Sequence, residues 1–150
     1  MFSDSFKTSE RTSFLALKDG EKVQGVFAGE PLEFKNNFGL KTQYPLGLAT
    51  YPEGTSSRFK LNLLVPREGK FFPFVFEGSK KTAVSLDAIV NKFGRDYIYE
   101  IQRNGSGTST TYSILPERSL TPEEKVEIAQ VKLVELKLRP KIDDDFHPED

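Results

Sequence analysis

The stretch Asp96–Pro116, DYIYEIQRNGSGTSTTYSILP, decides the fold, because it reads as two extended arms joined by a Gly/Ser-rich tip. Alternation puts Tyr97, Tyr99, Ile101 and Arg103 on one side of the first arm, and Tyr112 and Ile114 on one side of the second. Asn104–Gly107 tolerates the positive φ values of a tight turn, and the threonines that follow favour a return to extended structure. At this level two readings stand: half-buried sheet tyrosines with Arg103 paired to a carboxylate, or a hairpin that offers ring and guanidinium to a ligand.

Working upstream, Lys80–Phe93 repeats Ala83 or Val84, Leu86, Ile89, Val90 and Phe93 at three-to-four spacing and stops at Gly94, which predicts a helix. Before it, Lys70–Glu77 (KFFPFVFE) and Arg58–Val65 (RFKLNLLV) read as strands joined by the turn Pro66–Gly69, with Pro73 marking an edge or a bulge. In the Arg58 strand, Phe59, Leu61, Leu63 and Val65 share one face and Arg58, Lys60 and Asn62 the other. Asp19-Gly20 turns into a long first strand, Glu21 to about Glu33, which Gly25 and Gly29 bend or bulge. Leu40–Ser57 is a Gly/Pro-punctuated loop holding Tyr44 and Tyr51. Downstream, Thr121, Pro122 and Glu124 form an N-cap, a first helical position and a capping box. The stripe Val126, Ala129, Leu133 and Leu136 carries the predicted helix to Pro140, and its apolar face either packs on the barrel or makes a homodimer or partner contact.

The hairpin's Ile101, Arg103, Gly105, Gly107, Thr110, Tyr112, Ile114 and Pro116 give I-x-R, G-x-G and T-x-Y-x-I-x-P. This pattern resembles the OB-fold single-stranded-DNA-binding proteins of tailed bacteriophages, the helix-destabilising proteins. Leu17–Phe27 (LKDGEKVQGVF) and the acidic end Asp143–Asp150 (DDDFHPED) fit the same group. The resemblance implies an OB-like, five-stranded Greek-key barrel, mainly β with a helix between strands 3 and 4. The expected organisation is a flexible arm over 1–13, the barrel over 14–118, a C-terminal helix over 119–140 and a disordered acidic tail over 141–150. With no cysteine and His147 alone, the zinc insertion of some members is missing, so no metal and no cofactor is expected.

Composition narrows the chemistry. The chain's 150 residues suit one domain with a full core. No apolar run approaches a membrane span and no signal-peptide pattern opens the chain, so a soluble, cytoplasmic protein is expected, in the host cytoplasm if phage-encoded. A nucleophilic triad needs a base, and the sole histidine lies in the acidic tail; P-loop and metal-site spacings are missing too, so the expectation is not an enzyme.

Net charge is −1, yet it is unevenly laid out: residues 35–81 hold eight Lys/Arg against three Glu, a net of +5, and 141–150 hold one Lys against five acids, a net of −4. Non-specific binding of single strands needs cations along the phosphates and rings on which bases stack. The candidates are Lys35, Phe38, Lys41, Tyr44, Tyr51, Arg58, Lys60, Lys70, Phe72, Phe74, Lys80 and Lys81, with Arg103 and Tyr112 from the hairpin. Arg58 and Lys60 lead, as cations predicted on the outer surface of a barrel. Tyr44 and Tyr51 either stack on bases or fold down over the barrel rim. The tail residues Asp143, Asp144, Asp145, Phe146, Glu149 and Asp150 resemble the acidic ends that recruit replication and recombination proteins and compete with DNA for the basic groove. The resulting expectation is a protein that coats single-stranded DNA during phage replication or recombination. A protein-interaction barrel (a virion or host-takeover factor) and an RNA-binding OB protein are the alternatives.

Overall fold

The computed structural model describes residues 14–139. The elements in chain order are β1 (Lys22–Asn37), β2 (Thr42–Tyr44), β3 (Thr55–Arg67), β4 (Lys70–Ser79), α1 (Lys80–Phe93), β5 (Tyr97–Asn104), β6 (Thr111–Ser119) and α2 (Pro122–Ala129). The fold is mainly β: the strands form one antiparallel sheet in the order β4-β3-β1-β5-β6, with the short β2 added beside β1. Its outer strands β4 and β6 do not pair, so the sheet is not closed. No helix among the described residues is long and apolar enough to cross a membrane.

β1 is longer than its sequence suggests, and it serves three neighbours because it bends. Val26–Ala28 pairs with Asn62–Leu64, and the register then shifts before resuming at Leu32↔Lys60. Gly29 sits in this irregularity with φ +76°, a left-handed conformation costly for any residue bearing a Cβ. The bend lets the start of the strand pair with β5 through Lys22–Gly25, while its far end pairs with β2.

Alternation fills both faces of the sheet. Phe27, Phe59, Leu61, Leu63, Phe76, Tyr99 and Ile101 form the main core, and Tyr97, Tyr112 and Ile114 pack against it. The hairpin's tyrosines are therefore sheet residues lining the core. α1 packs on β3, β4 and β6 at the gap between the edge strands, where the Phe76 and Tyr112 rings meet edge-to-face with centroids 5.0 Å apart. Truncating such a buried ring costs about 3–5 kcal/mol. On the opposite face Val26, Leu64, Phe71, Ile98 and Leu120 form a second cluster, capped by Ile128 and Val131.

The helices show how far local signals reach. α1 occupies the predicted span; Ser79 caps it by accepting from the Thr82 N–H, and Gly94 ends it at φ +93° with its N–H on the Val90 carbonyl. Ala83, not the exposed Val84, faces the core. α2 has the predicted capping box, Thr121 accepting from Glu124 N–H and Glu124 accepting from Thr121 N–H, but it ends at Ala129. The expected helix to Pro140 is corrected: residues 131–139 are not helical, and Val126 lies on the surface. Main-chain groups of this segment are instead taken by side chains of β2 and β3, which removes the reason for a helical ladder. The predicted arm over 1–13 and the acidic tail over 141–150 lie outside the described residues.

Candidate nucleic-acid interface

A cleft of about 600 Å³ opens where four parts of the chain converge: the end of β1, the start of β3, the β4–α1 junction and the β5–β6 tip. It gathers five of the predicted site residues, Phe38, Arg58, Lys81, Arg103 and Tyr112. Hydroxyls of Ser56, Ser79 and Thr108 add donors that sequence reasoning did not single out.

Each of the five is held differently. The Arg58 guanidinium lies 5.2 Å from the Phe38 ring centroid, and its Nε donates to Glu77 Oε2 at 3.0 Å. Phe38 itself is 55% exposed, so one ring that would ordinarily be hidden stands at the cleft, stacked on a cation. Lys81 is exposed in the first turn of α1, where a positive charge opposes the helix dipole. Among the described residues Arg103 pairs with no carboxylate: it donates to the carbonyls of Leu17 and Gly105 and to Thr110 Oγ1, tying the hairpin tip to the chain before β1. Tyr112 is a half-buried wall whose ring is engaged by Phe76.

Other predicted residues are placed elsewhere or put to structural use. Tyr44 and Tyr51 meet edge-to-face at 6.0 Å, and the Tyr51 hydroxyl donates to Pro45 O and accepts from Leu48 N–H, so both rings brace the β1–β3 connection. Lys35 lies over Tyr51 and donates to Ser57 Oγ at 2.7 Å. Lys41 is an exposed turn residue at φ +51°. Lys80 is the exposed first residue of α1 and does not line the cleft. Lys70, Phe72 and Phe74 sit toward the far end of β4: Arg58 pairs with Ser79 at one end of the β3–β4 ladder and Arg67 with Lys70 at the other, roughly 30 Å away at strand rise. Phe72 is exposed there, and the Arg67 guanidinium lies 5.0 Å from the Phe74 ring centroid.

Lys60 is the main correction. It was expected on an open surface beside Arg58, and it is 2% exposed, with its Nζ donating to Gln43 Oε1 at 3.0 Å and to Lys137 O at 2.8 Å. Burial pushes its amine below the usual lysine pKa; nearby Glu77 opposes that shift and Arg139 adds to it. Asn62, expected on the same open face, is also buried; it donates to Val134 O and accepts from Val134 N–H. Gln43 Oε1 accepts from Arg139 N–H at 2.7 Å. Two donors on this face, Asn36 Nδ2 and Gln43 Nε2, are buried and meet no acceptor among the described residues, at roughly 1–3 kcal/mol each.

The cleft holds cations, hydroxyls and one exposed ring, the means to bind phosphate and to stack a planar group. Among the described residues no cluster of His, Asp or Glu is placed to hold a metal. No protein-family model, curated protein or solved structure matches this chain.

Proposed function

We propose that the protein binds single-stranded DNA without sequence preference, and that the cleft at the hairpin tip is where it does so. The observation that carries this reading is the convergence of Arg58, Lys81 and Arg103 on one cleft with the exposed Phe38 ring at its edge. Cations for phosphates and a ring for bases are the two parts such binding requires.

Topology supports the reading. Leaving out β2, the open order β4-β3-β1-β5-β6 with a helix between β4 and β5 is compatible with an OB-like arrangement. The cleft lies between the β1–β3 connection and the β5–β6 tip, the loops with which that architecture holds oligonucleotides. A role in coating single strands during phage replication or recombination, with the acidic tail as a handle for partner proteins, is the further proposal drawn from the sequence resemblance.

A gel shift with labelled oligo-dT, its ribose counterpart and a duplex tests the reading. Retarded oligo-dT at low salt, with the duplex unbound, is the expected result; no shift by the folded protein refutes it. A preference for the ribose strand favours an RNA-binding role. One observation favours a protein-interaction module instead: Leu40, Leu46 and Leu48 are all about half exposed on the Tyr51-braced β1–β3 connection.

A further inference from the structure

The face of the sheet that bears Arg58 does not end at the cleft. Alternate residues Ser56, Arg58, Lys60 and Asn62 of β3 share that face, joined by their partners Phe34 and Asn36 of β1, Gln43 of β2, and Glu77 and Ser79 of β4. The part with Ser56, Arg58 and Ser79 is open and lines the cleft. The part with Gln43, Lys60 and Asn62 is covered by the chain's own residues 134–139. Resting on the proposal that the cleft binds single strands, we infer that Gln43, Lys60 and Asn62 form a second stretch of strand-binding surface. Residues 134–139 are its occupant in the free protein, and a long strand displaces them.

The way the segment is held points to this. Its near end is anchored, since Ile128 and Val131 pack into the second core cluster. Its far end is gripped through main-chain groups: Val134 N–H and C=O by Asn62, the Lys137 carbonyl by Lys60 and the Arg139 N–H by Gln43. Glu135, Lys137 and Arg139 are exposed, and Val134, Leu136 and Leu138 only half-buried. No strand ladder joins the segment to the sheet. A strap fixed at one end and held by four side-chain bonds at the other can peel while the core stays folded.

The chemistry beneath it fits a nucleic acid better than the peptide now there. Asn36 Nδ2 and Gln43 Nε2, on the same face, are buried donors without acceptors among the described residues. Their residues are 1% and 7% exposed, and at Gln43 the strap's Arg139 N–H engages Oε1 while Nε2 is left without an acceptor among the described residues. A strand, rich in phosphate oxygens and base carbonyls, supplies acceptors where the peptide supplies too few. It would also give Lys60 an anion in place of two neutral oxygens.

The test uses the full chain and two probes, oligo-dT of about four and about sixteen nucleotides, spanning the usual range of such sites. Hydrogen exchange at the Val134 and Arg139 amides reads strap opening. The long probe should raise their exchange at least tenfold and the short probe should leave it unchanged. Val134→Pro deletes the N–H that Asn62 accepts while leaving every group of the sheet face in place. It should bind the long probe roughly 3- to 10-fold more tightly, the loss of one buried hydrogen bond from the competitor, and the short probe as before. If the wild-type amides stay protected while the long probe is bound, the second stretch is not used and the inference is wrong, whatever the fate of the cleft. Equal affinity of Val134→Pro and wild type for the long probe has the same meaning. If neither probe binds at low salt, the cleft reading and this inference fall together.

Discussion

Replacing Lys81 by alanine separates electrostatic binding from every structural role. Lys81 lines the cleft from the first turn of α1, is exposed, and faces the helix dipole unfavourably. Alanine there relieves that repulsion and has the highest helix propensity, so the melting temperature should stay the same or rise slightly. Binding should respond differently. The cleft has three cations, Arg58, Lys81 and Arg103. At about −0.7 per neutralised phosphate on a single strand, three contacts give a logarithmic salt slope of about −2.1. Between about 50 and 200 mM salt, affinity for oligo-dT then falls about 18-fold. With two contacts the slope is about −1.4 and the fall about 7-fold. Fluorescence anisotropy of a labelled oligo-dT, titrated with each protein across that salt range, measures both numbers. A Lys81→Ala slope equal to wild type, with both proteins folded and binding, would remove Lys81 from the phosphate contacts and undercut the placement of the strand in this cleft.

Phe38→Ala should weaken oligo-dT binding by about 1–3 kcal/mol, the worth of one stacked base, with the salt slope unchanged in the same anisotropy titration. By contrast, Tyr51→Phe should leave affinity alone and lower stability in urea by about 0.5–1.5 kcal/mol, since its hydroxyl bonds only loop backbone. Bonds from Arg118 and from the Thr121 N–H hold the Glu124 carboxyl down from an ordinary 4.5 to about 2. A depressed carboxyl stabilises the fold above its unfolded value and loses that contribution as pH falls, so melting temperature should drop between about pH 4.5 and 2, and Glu124→Gln should flatten that part of a circular-dichroism pH series. Deleting Asp143–Asp150 should tighten oligo-dT binding several-fold at low salt, with the gain fading as salt rises; equal affinities at low salt would leave the tail no role as a competitor for the cleft.

What the sequence revealed follows from the range of the interactions involved. The hairpin and α1 were legible because their signals are local: alternation around a Gly-rich tip, a serine cap and a glycine stop within one segment. α2 began as expected for the same reason. Its end was not legible, because Val126, Ala129, Leu133 and Leu136 keep a helical spacing while Val134-Glu-Leu-Lys-Leu-Arg139 also alternates with period two. Two periods competed over the same residues, and partners some seventy residues away in sequence, Asn62 and Lys60, decided against the helix. The tyrosines of β5 had two readings until long-range packing placed Tyr99 in the core with Tyr97 against it.

The candidate cleft was legible only in part, since five of the fourteen predicted residues line it, and charge counting explains the shortfall. A net of +5 over residues 35–81 suggests a broad basic patch, yet the fold spends those cations one at a time. Lys35 braces Tyr51 and Ser57, Lys60 is buried, and Arg67 and Lys70 stand at the far end of β3 and β4. Of that run only Arg58 and Lys81 reach the cleft, and Arg58 already shares its charge with Glu77, each side chain about one-fifth exposed. Arg103 arrives from outside the run, with several of its donors committed to the hairpin. The field at the cleft is therefore that of two or three cations, which is why the expected salt slope is shallow. A shallow slope in turn makes the stacked Phe38 ring and the covered stretch around Lys60 and Asn62 matter more, because affinity that few phosphate contacts provide must come from contacts that salt does not screen.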